Sequence, residues 1–233
     1  MLSGRWTGLA AAILLLTSQE CVAAAFTISP TRVELADHRT TASIVLRNRS
    51  QDESVIQVEA FNWEDKPDIE GLAPSRDLIA VPAVFRLEGG ASQVIRVRAR
   101  TVPDASERAF RLVVSEVPDE TPSGGTGVQF ALRLNLPVFL GTKNGRAIPL
   151  WSREVSADGT TSIELSNNGN AHLRVRELHV ADAAGRKLDA IGAPFDILAG
   201  KVRRWPLDPA LAGRVVHIEA QTSIGPISVE LAP

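Results

Sequence analysis

The four histidines, at positions 38, 172, 179 and 217, are the first residues that could support metal or acid–base chemistry. His172 and His179 are seven residues apart on one predicted strand, so their side chains should point to opposite faces. No cysteine and no close acidic residue joins them, whereas a zinc site needs three or four convergent ligands. We therefore predict surface roles for the histidines and no metal site.

Other catalytic patterns are equally weak. The chain has no G-x-S-x-G nucleophile elbow. The segment SGGTG lacks the glycine spacing and the following helix that a phosphate-binding loop requires. The segment WEDKPDIE places five charges around a turn, which is more typical of a solvated loop than of paired catalytic carboxylates. We predict neither catalytic residues nor a cofactor.

The elements that would position any site are short strands. Runs such as FTISPTRVEL, TASIVLRN, SVIQVEAFNW and SQVIRVRAR alternate apolar and polar residues, and turn-forming residues separate them. A polar stretch, GTKNGR, interrupts the pattern at residues 141–146 before further strands follow. We predict an all-β protein with two immunoglobulin-like β-sandwich domains, residues 26–142 and 143–233, joined at an angle by a short hinge.

Composition limits the class of protein. Of the 233 residues, 44% are hydrophobic and 22% are charged, as in a globular protein. The net charge is −2, which argues against nucleic-acid binding, because such proteins carry a strong basic excess. No segment is long and apolar enough to suggest a membrane span.

The N-terminus is typical of a cleaved secretory signal. Arg5 precedes the short apolar run LAAAILLL, and the small residues at 23–25 fit a cleavage site after Ala25. The one cysteine, Cys21, would leave with residues 1–25. The mature chain would then be exported without a disulfide, so its stability must come from apolar packing.

The most apolar strand is GVQFALRLNLPVFL, residues 127–140. It follows a loop without structural preference, and Pro137 predicts that its far end is an edge or a strand terminus. Its apolar side chains share one parity and should face one side; they are Val128, Phe130, Leu132, Leu134 and Leu136.

Four stretches in order now suggest a family. They are FTISPTRVEL with Arg32, DLIAVPAVFRLEGGASQVIRV, RAFRLVVSEVP and ALRLNLPVFL. Together they resemble the PapD-like periplasmic chaperones of the chaperone–usher pathway, and ALRLNLPVFL looks more like the archaic, Csu-type branch. The resemblance covers residues 26 to about 140, and the second domain only by its size and strand pattern.

The resemblance implies a non-enzymatic chaperone that binds pilin subunits lacking a final strand and delivers them to an outer-membrane usher. The chaperone lends its edge strand, and the donor side chains would be the five apolar residues on one parity of residues 128–136. The alternative is a purely structural role, in which these side chains, most of all Leu134 and Leu136, fill the chaperone's own core. The free protein could also self-associate through this strand.

The family also binds the client's terminal carboxylate between the domains with two basic residues. Arg32 matches the first of them. The second is a lysine in the better-known branch and aligns here with Pro137. Arg133 has the same strand parity and is our preferred replacement, although another cation such as Lys143 could serve instead. Glu107 matches the acidic member of the family's interdomain ion pair, but Gly141 stands at the basic position, so this contact must be made differently.

Two other functions remain open from the sequence. A secreted structural or adhesive β-sandwich of a surface fibre would have the same strand pattern. A sugar-binding domain could use a surface aromatic such as Trp63 or Trp205.

Overall fold

The computed structural model describes residues 26–36, 39–64, 72–100, 105–118 and 131–231. These residues form two β-sandwiches, each with its own apolar core. The predicted all-β fold with two immunoglobulin-like domains is confirmed. The described residues contain one helix of only four residues, and all their other elements are strands. Solved structures with a similar fold are of the same class. Among the described residues, no helix is both long enough and apolar enough to cross a membrane.

Nine strands form the described part of the N-terminal domain. They are β1 (Phe26–Ser29), β2 (Val33–Leu35), β3 (Thr41–Asn48), β4 (Ser54–Asn62), β5 (Leu78–Val81), β6 (Val84–Leu87), β7 (Ser92–Ala99), β8 (Arg108–Val117) and β9 (Arg133–Leu140). One sheet has the order β1-β3-β7-β5 and the other the order β2-β9-β8-β4-β6. The pairing is antiparallel throughout except between β2 and β9, which run parallel.

Strict alternation explains why these segments form sheets. In β3 and β7 every second side chain is buried from Ile44 and Ile95 onwards, and these two isoleucines are directly paired and fully buried. The matching residues of β8 close the core from the other sheet, with Phe110 and Leu112 also fully buried. Because one face of each strand is apolar, a one-residue slip would expose the whole set, so the register is well defined.

The C-terminal domain contains the remaining strands and the helix. They are β10 (Pro149–Val155), β11 (Thr161–Asn167), β12 (Leu173–Ala181), β13 (Lys187–Ala190), β14 (Phe195–Ile197), β15 (Val202–Pro206), α1 (Pro209–Ala212), β16 (His217–Thr222) and β17 (Gly225–Glu230). One sheet has the order β10-β11-β15, and the other has the order β13-β12-β16-β17 with β14 also paired to β12. Asp208 begins α1 by accepting a hydrogen bond from the Ala210 N–H, and Pro209 suits the first helical turn.

Two proline-containing segments differ from the sequence prediction. FTISPTRVEL, predicted as one strand, divides around Pro30 into β1 and β2, and DLIAVPAVFRL, the first part of the second family stretch, divides around Pro82 into β5 and β6. In each case the two strands belong to opposite sheets. At Pro137 the predicted alternative of an edge agrees with the structure and that of a strand terminus does not, because β9 continues to Leu140 while β2 pairs with it only from Val138. Proline is tolerated there because its nitrogen faces the edge of β9 that does not pair with β8, as the next subsection describes.

Candidate functional site

Strand β9 has one edge that is largely unpaired. Its other edge pairs with β8 from Arg133 to Leu140, whereas β2 covers this edge only from Val138 to Leu140. Among the described residues, no strand pairs with this edge at residues 133–137. Such an edge is a template for the addition of another chain.

Hydrogen-bond directions show which backbone groups this edge offers. The Glu116 N–H donates to the Leu132 carbonyl, so the even-numbered residues of β9 direct their backbone groups towards β8. The odd-numbered residues face the other way, and Gly141 accordingly donates to Leu35 of β2. Arg133 and Asn135 therefore present both N–H and C=O at the open edge, while Pro137 presents only its C=O.

The side chains of β9 fall into two zones. Leu136 is only 2% exposed and belongs to the core of the domain, so its side chain is not free to fill another protein's groove. Leu132 and Leu134 pack against the same core but stay half-buried. Val128 and Phe130 lie outside the described residues. The part of the donor strand that could still offer apolar surface is thus its N-terminal part.

Arg32 lies where the open edge meets the domain interface. It immediately precedes β2 and therefore sits beside Pro137 in the parallel register. Its Nε donates to Glu34 at 2.7 Å, and Nη1 donates to Asp196 at 2.9 Å. Burial would lower the pKa of Arg32, but hydrogen bonds with Asp196 and Glu34 outweigh it and raise the pKa above its usual value.

A cleft of about 720 Å³ surrounds this position, between the two domains. Among the residues that the structure describes, its lining is strongly basic, with a single carboxylate, that of Asp196. The lining arginines are Arg32, Arg111, Arg174, Arg203 and Arg204. Pro137, the position of the expected lysine, also lines this cleft. The size and charge suit the anionic end of a chain rather than a neutral ligand.

Arg111 is the cationic residue that the sequence analysis missed. It lies on β8 directly opposite Pro137, and its guanidinium packs 3.4 Å from the centre of the Trp63 ring. Burial lowers its pKa, Asp196 offsets this only in part, and Arg32 lowers it further. No carboxylate of the described chain forms an ion pair with Arg111, so its charge is available to an incoming anion.

The two cations proposed from the sequence lie elsewhere. Arg133 is exposed at the start of β9, four residues from Pro137, and Lys143 is exposed in the segment between the domains. Neither lines the cleft. Arg111 could have been found only from the pairing of β8 with β9, which places it next to Pro137.

The interdomain contact uses a histidine in place of the missing basic residue. His172 donates from its main-chain N–H and from Nδ1 to Glu107, at 2.9 and 2.7 Å. The prediction that the histidines have surface roles is wrong for His172, whose side chain is only 12% exposed. Gly141 takes no part in this contact; its N–H donates to the Leu35 carbonyl.

A small apolar cluster seals the same interface. It consists of Trp63, Phe139 and Leu198, all buried, with Leu198 supplied by the C-terminal domain. Trp63 is 9% exposed and is therefore not the surface aromatic that a sugar-binding role would need. Trp205 is half-buried and packs with Trp151 and Phe195.

Comparison with known proteins identifies the family. The family model for pili and flagellar-assembly chaperones, PapD N-terminal domain, matches residues 25–143, so the chain belongs to this family, as predicted. The chaperone protein LpfB of Salmonella typhimurium is 26% identical over 191 residues, which cover 78% of each chain. These matches favour a chaperone over a fibre subunit.

Solved structures support the same fold. The CsuC–CsuE chaperone–tip adhesion subunit pre-assembly complex from the archaic Csu pili of Acinetobacter baumannii matches with a TM-score of 0.66 and 19% identity. The match covers 88% of this chain and 97% of that chain. The E. coli chaperone DraB matches with a TM-score of 0.63 and 16% identity, covering 89% and 96%. The similar scores do not separate the branches, so closeness to the Csu-type branch stays a prediction.

Proposed function

We propose that this protein is a periplasmic chaperone that binds pilus subunits by lending them strand β9 and then delivers them to an outer-membrane usher. The observation that carries the proposal is the open edge of β9, which ends at a cleft rich in arginines. Family membership supports the chaperone role. The signal-like residues 1–25 support export to the periplasm.

The geometry implies the direction of the added strand. Strand β9 runs towards the cleft, so a subunit strand whose C-terminal carboxylate lies in the cleft would run parallel to β9. It would occupy the place that β2 takes from Val138 onwards. Among the described residues of β9, Arg133 and Asn135 could both donate and accept along this edge, and the missing N–H of Pro137 would mark the end of the ladder.

Apolar burial would supply much of the affinity. Leu132 and Leu134 are half-buried, and the proposed donor set continues with Val128 and Phe130. Burying a large apolar side chain fully is worth about 1.5–3 kcal/mol, so each half-buried leucine would contribute less than this. Association itself costs several kcal/mol, and the backbone hydrogen bonds and the carboxylate contact must help to offset it.

The carboxylate anchor would be formed by Arg32 and Arg111. Arg32 immediately precedes β2 and Arg111 lies on β8, on either side of Pro137, so their Cα atoms are two strand spacings, or about 9–10 Å, apart. Both side chains line the cleft, and two long arginine side chains that converge from this distance can hold a carboxylate between them through charge-assisted hydrogen bonds. The anchor would set the register of the added strand, since a slip by one residue reverses every side chain. We propose Arg111 in place of Arg133 as the second anchor.

Single arginine substitutions test the anchor. We expect Arg32→Ala and Arg111→Ala each to lower the amount of pilus subunit that co-purifies with the chaperone from periplasmic extracts by about tenfold or more. Arg133→Ala is the matched control, because it removes the same charge from an exposed position on β9. Chaperone levels and thermal unfolding are measured alongside.

The outcomes separate the candidates. Loss of subunit with Arg133→Ala and normal recovery with Arg111→Ala would restore Arg133 as the second anchor. Normal recovery with both Arg32→Ala and Arg111→Ala would contradict the carboxylate anchor altogether.

A further inference from the structure

His172 joins two side chains of the N-terminal domain from the C-terminal domain. Its Nδ1 lies 2.7 and 2.9 Å from the two carboxylate oxygens of Glu107, and its Nε2 lies 2.5 Å from Nη2 of Arg32. The His172 ring stacks on the Phe139 ring with 3.8 Å between the ring centres, and the Arg32 guanidinium packs 4.3 Å from the centre of the Phe139 ring. The arrangement connects the domain interface directly to the proposed anchor arginine.

The chemistry of the two neighbours assigns the protons of the imidazole. An ionised carboxylate can only accept hydrogen bonds, so Nδ1 must carry a proton towards Glu107. A guanidinium has no acceptor, so Nε2 must accept a hydrogen bond from Arg32. The site is therefore built for neutral His172 with its proton on Nδ1, and this ring uses both nitrogens.

Arg32 is consequently held on three sides. Nε donates to Glu34, Nη1 to Asp196 and Nη2 to His172. A guanidinium has five N–H groups, so these three contacts leave one N–H on each terminal nitrogen for a further acceptor. The contacts with Asp196 and His172 both fix the terminal nitrogens, and together they prevent the guanidinium from turning about its Nε–Cζ bond.

We propose that His172 is a positioning residue for the carboxylate anchor. It holds Arg32 with its two remaining N–H groups directed at the terminal carboxylate of a bound subunit. Because His172 belongs to the other domain, the anchor takes this geometry only when the two domains are docked through Glu107. This inference rests on the proposed function and names a residue that determines how that site selects a terminal carboxylate.

Two amide substitutions test the contacts of the two ring nitrogens of His172 separately. In His172→Asn the amide N–H can replace Nδ1 towards Glu107, but no atom reaches the position of Nε2. In His172→Gln the longer side chain can place its amide oxygen near Nε2 and accept from Arg32, while the Nδ1 contact is lost. Arg32→Ala completes the set as the variant without the first anchor arginine.

The binding probe is a synthetic peptide of alternating valine and threonine, about ten residues long like a long strand, ending in either a free carboxylate or a carboxamide. The measured quantity is the ratio of the two affinities for the full-length mature protein. We expect the wild type to prefer the carboxylate and Arg32→Ala to keep only the weaker preference that Arg111 supplies. We expect His172→Asn to lower the ratio about tenfold, equivalent to about 1.4 kcal/mol, and His172→Gln to stay within about threefold of the wild type.

A second measurement needs no ligand. In the wild type the Arg32 side chain should show separate NMR signals for its terminal nitrogens, because both are held. His172→Asn should average these signals, and His172→Gln should keep them apart.

Three results would overturn the inference. If His172→Asn keeps both the carboxylate preference and the separate Arg32 signals, His172 does not position Arg32. If His172→Gln loses as much preference as His172→Asn, the contact with Glu107 matters rather than the acceptor. If the wild type has no carboxylate preference, the anchor of the proposed function fails, and this inference fails with it even if the Arg32 signals remain separate.

Discussion

Arg32 and Arg111 carry the same charge but lie in different electrostatic surroundings. Hydrogen bonds with Asp196 and Glu34 overcome the effect of burial on Arg32 and raise its pKa, whereas burial lowers the pKa of Arg111. Both remain charged, because arginine does not lose its proton in proteins. The difference means that Arg32 is already stabilised in the free chaperone, whereas Arg111 gains most from an added anion.

This difference leads to a prediction at Arg111. In Arg111→Met a partly buried charge that has no ion pair among the described residues is replaced by an apolar side chain that can still pack on Trp63. The lost cation–π contact is worth about 0.5–1 kcal/mol, and the relieved burial of charge should offset it. We expect the free energy of unfolding in urea to fall by less than about 0.5 kcal/mol or to rise, while subunit binding weakens.

The measurement compares urea unfolding of the wild type and Arg111→Met with subunit recovery for the same two proteins. A stability loss above about 1.5 kcal/mol would mean that Arg111 is a structural residue instead.

At the level of elements, strand β9 serves two purposes along its length. Its C-terminal part, from Leu136 onwards, is core, and β2 covers its edge from Val138. Its N-terminal part has an open edge and half-buried leucines. The change between the two falls at Pro137, beside Arg32.

Two leucine truncations test this division. Leu136→Ala should lower the free energy of unfolding by about 2–5 kcal/mol, because it leaves a cavity in the core. Leu132→Ala should cost less than about 1.5 kcal/mol, because the side chain is only half-buried, yet it should reduce subunit recovery at equal chaperone level. The reverse order of stability losses, measured in urea, would contradict the division.

The alternation of side chains in the sequence is enough to predict the apolar face of β9. The parity of Leu132, Leu134 and Leu136 identifies one apolar face, and Arg32 is found through the resemblance to the family. Alternation within one strand does not reveal which residue of the next strand lies opposite. That is why the sequence points to Arg133, whereas the structure places Arg111 opposite Pro137. His172 was missed for a related reason, since its partners are 65 and 140 residues away along the chain.

For the whole molecule, the proposed anchor depends on both domains. The N-terminal domain supplies Arg32, Arg111 and the open edge, whereas the C-terminal domain supplies His172 and Asp196. The buried cluster of Trp63, Phe139 and Leu198 holds the two domains together beside the cleft. A subunit would therefore meet a preformed site, which reduces the ordering cost of binding.

The central claim is that a pilus subunit adds a strand to the open edge of β9. Hydrogen exchange of the full-length mature chaperone, with and without a co-purified subunit, tests it most directly. We expect the amides of Arg133 and Asn135 to exchange rapidly in the free chaperone and at least about tenfold more slowly in the complex. The edge strand β6 should be unchanged and serves as the internal control. A stable complex in which these two amides exchange as fast as in the free protein would contradict the account.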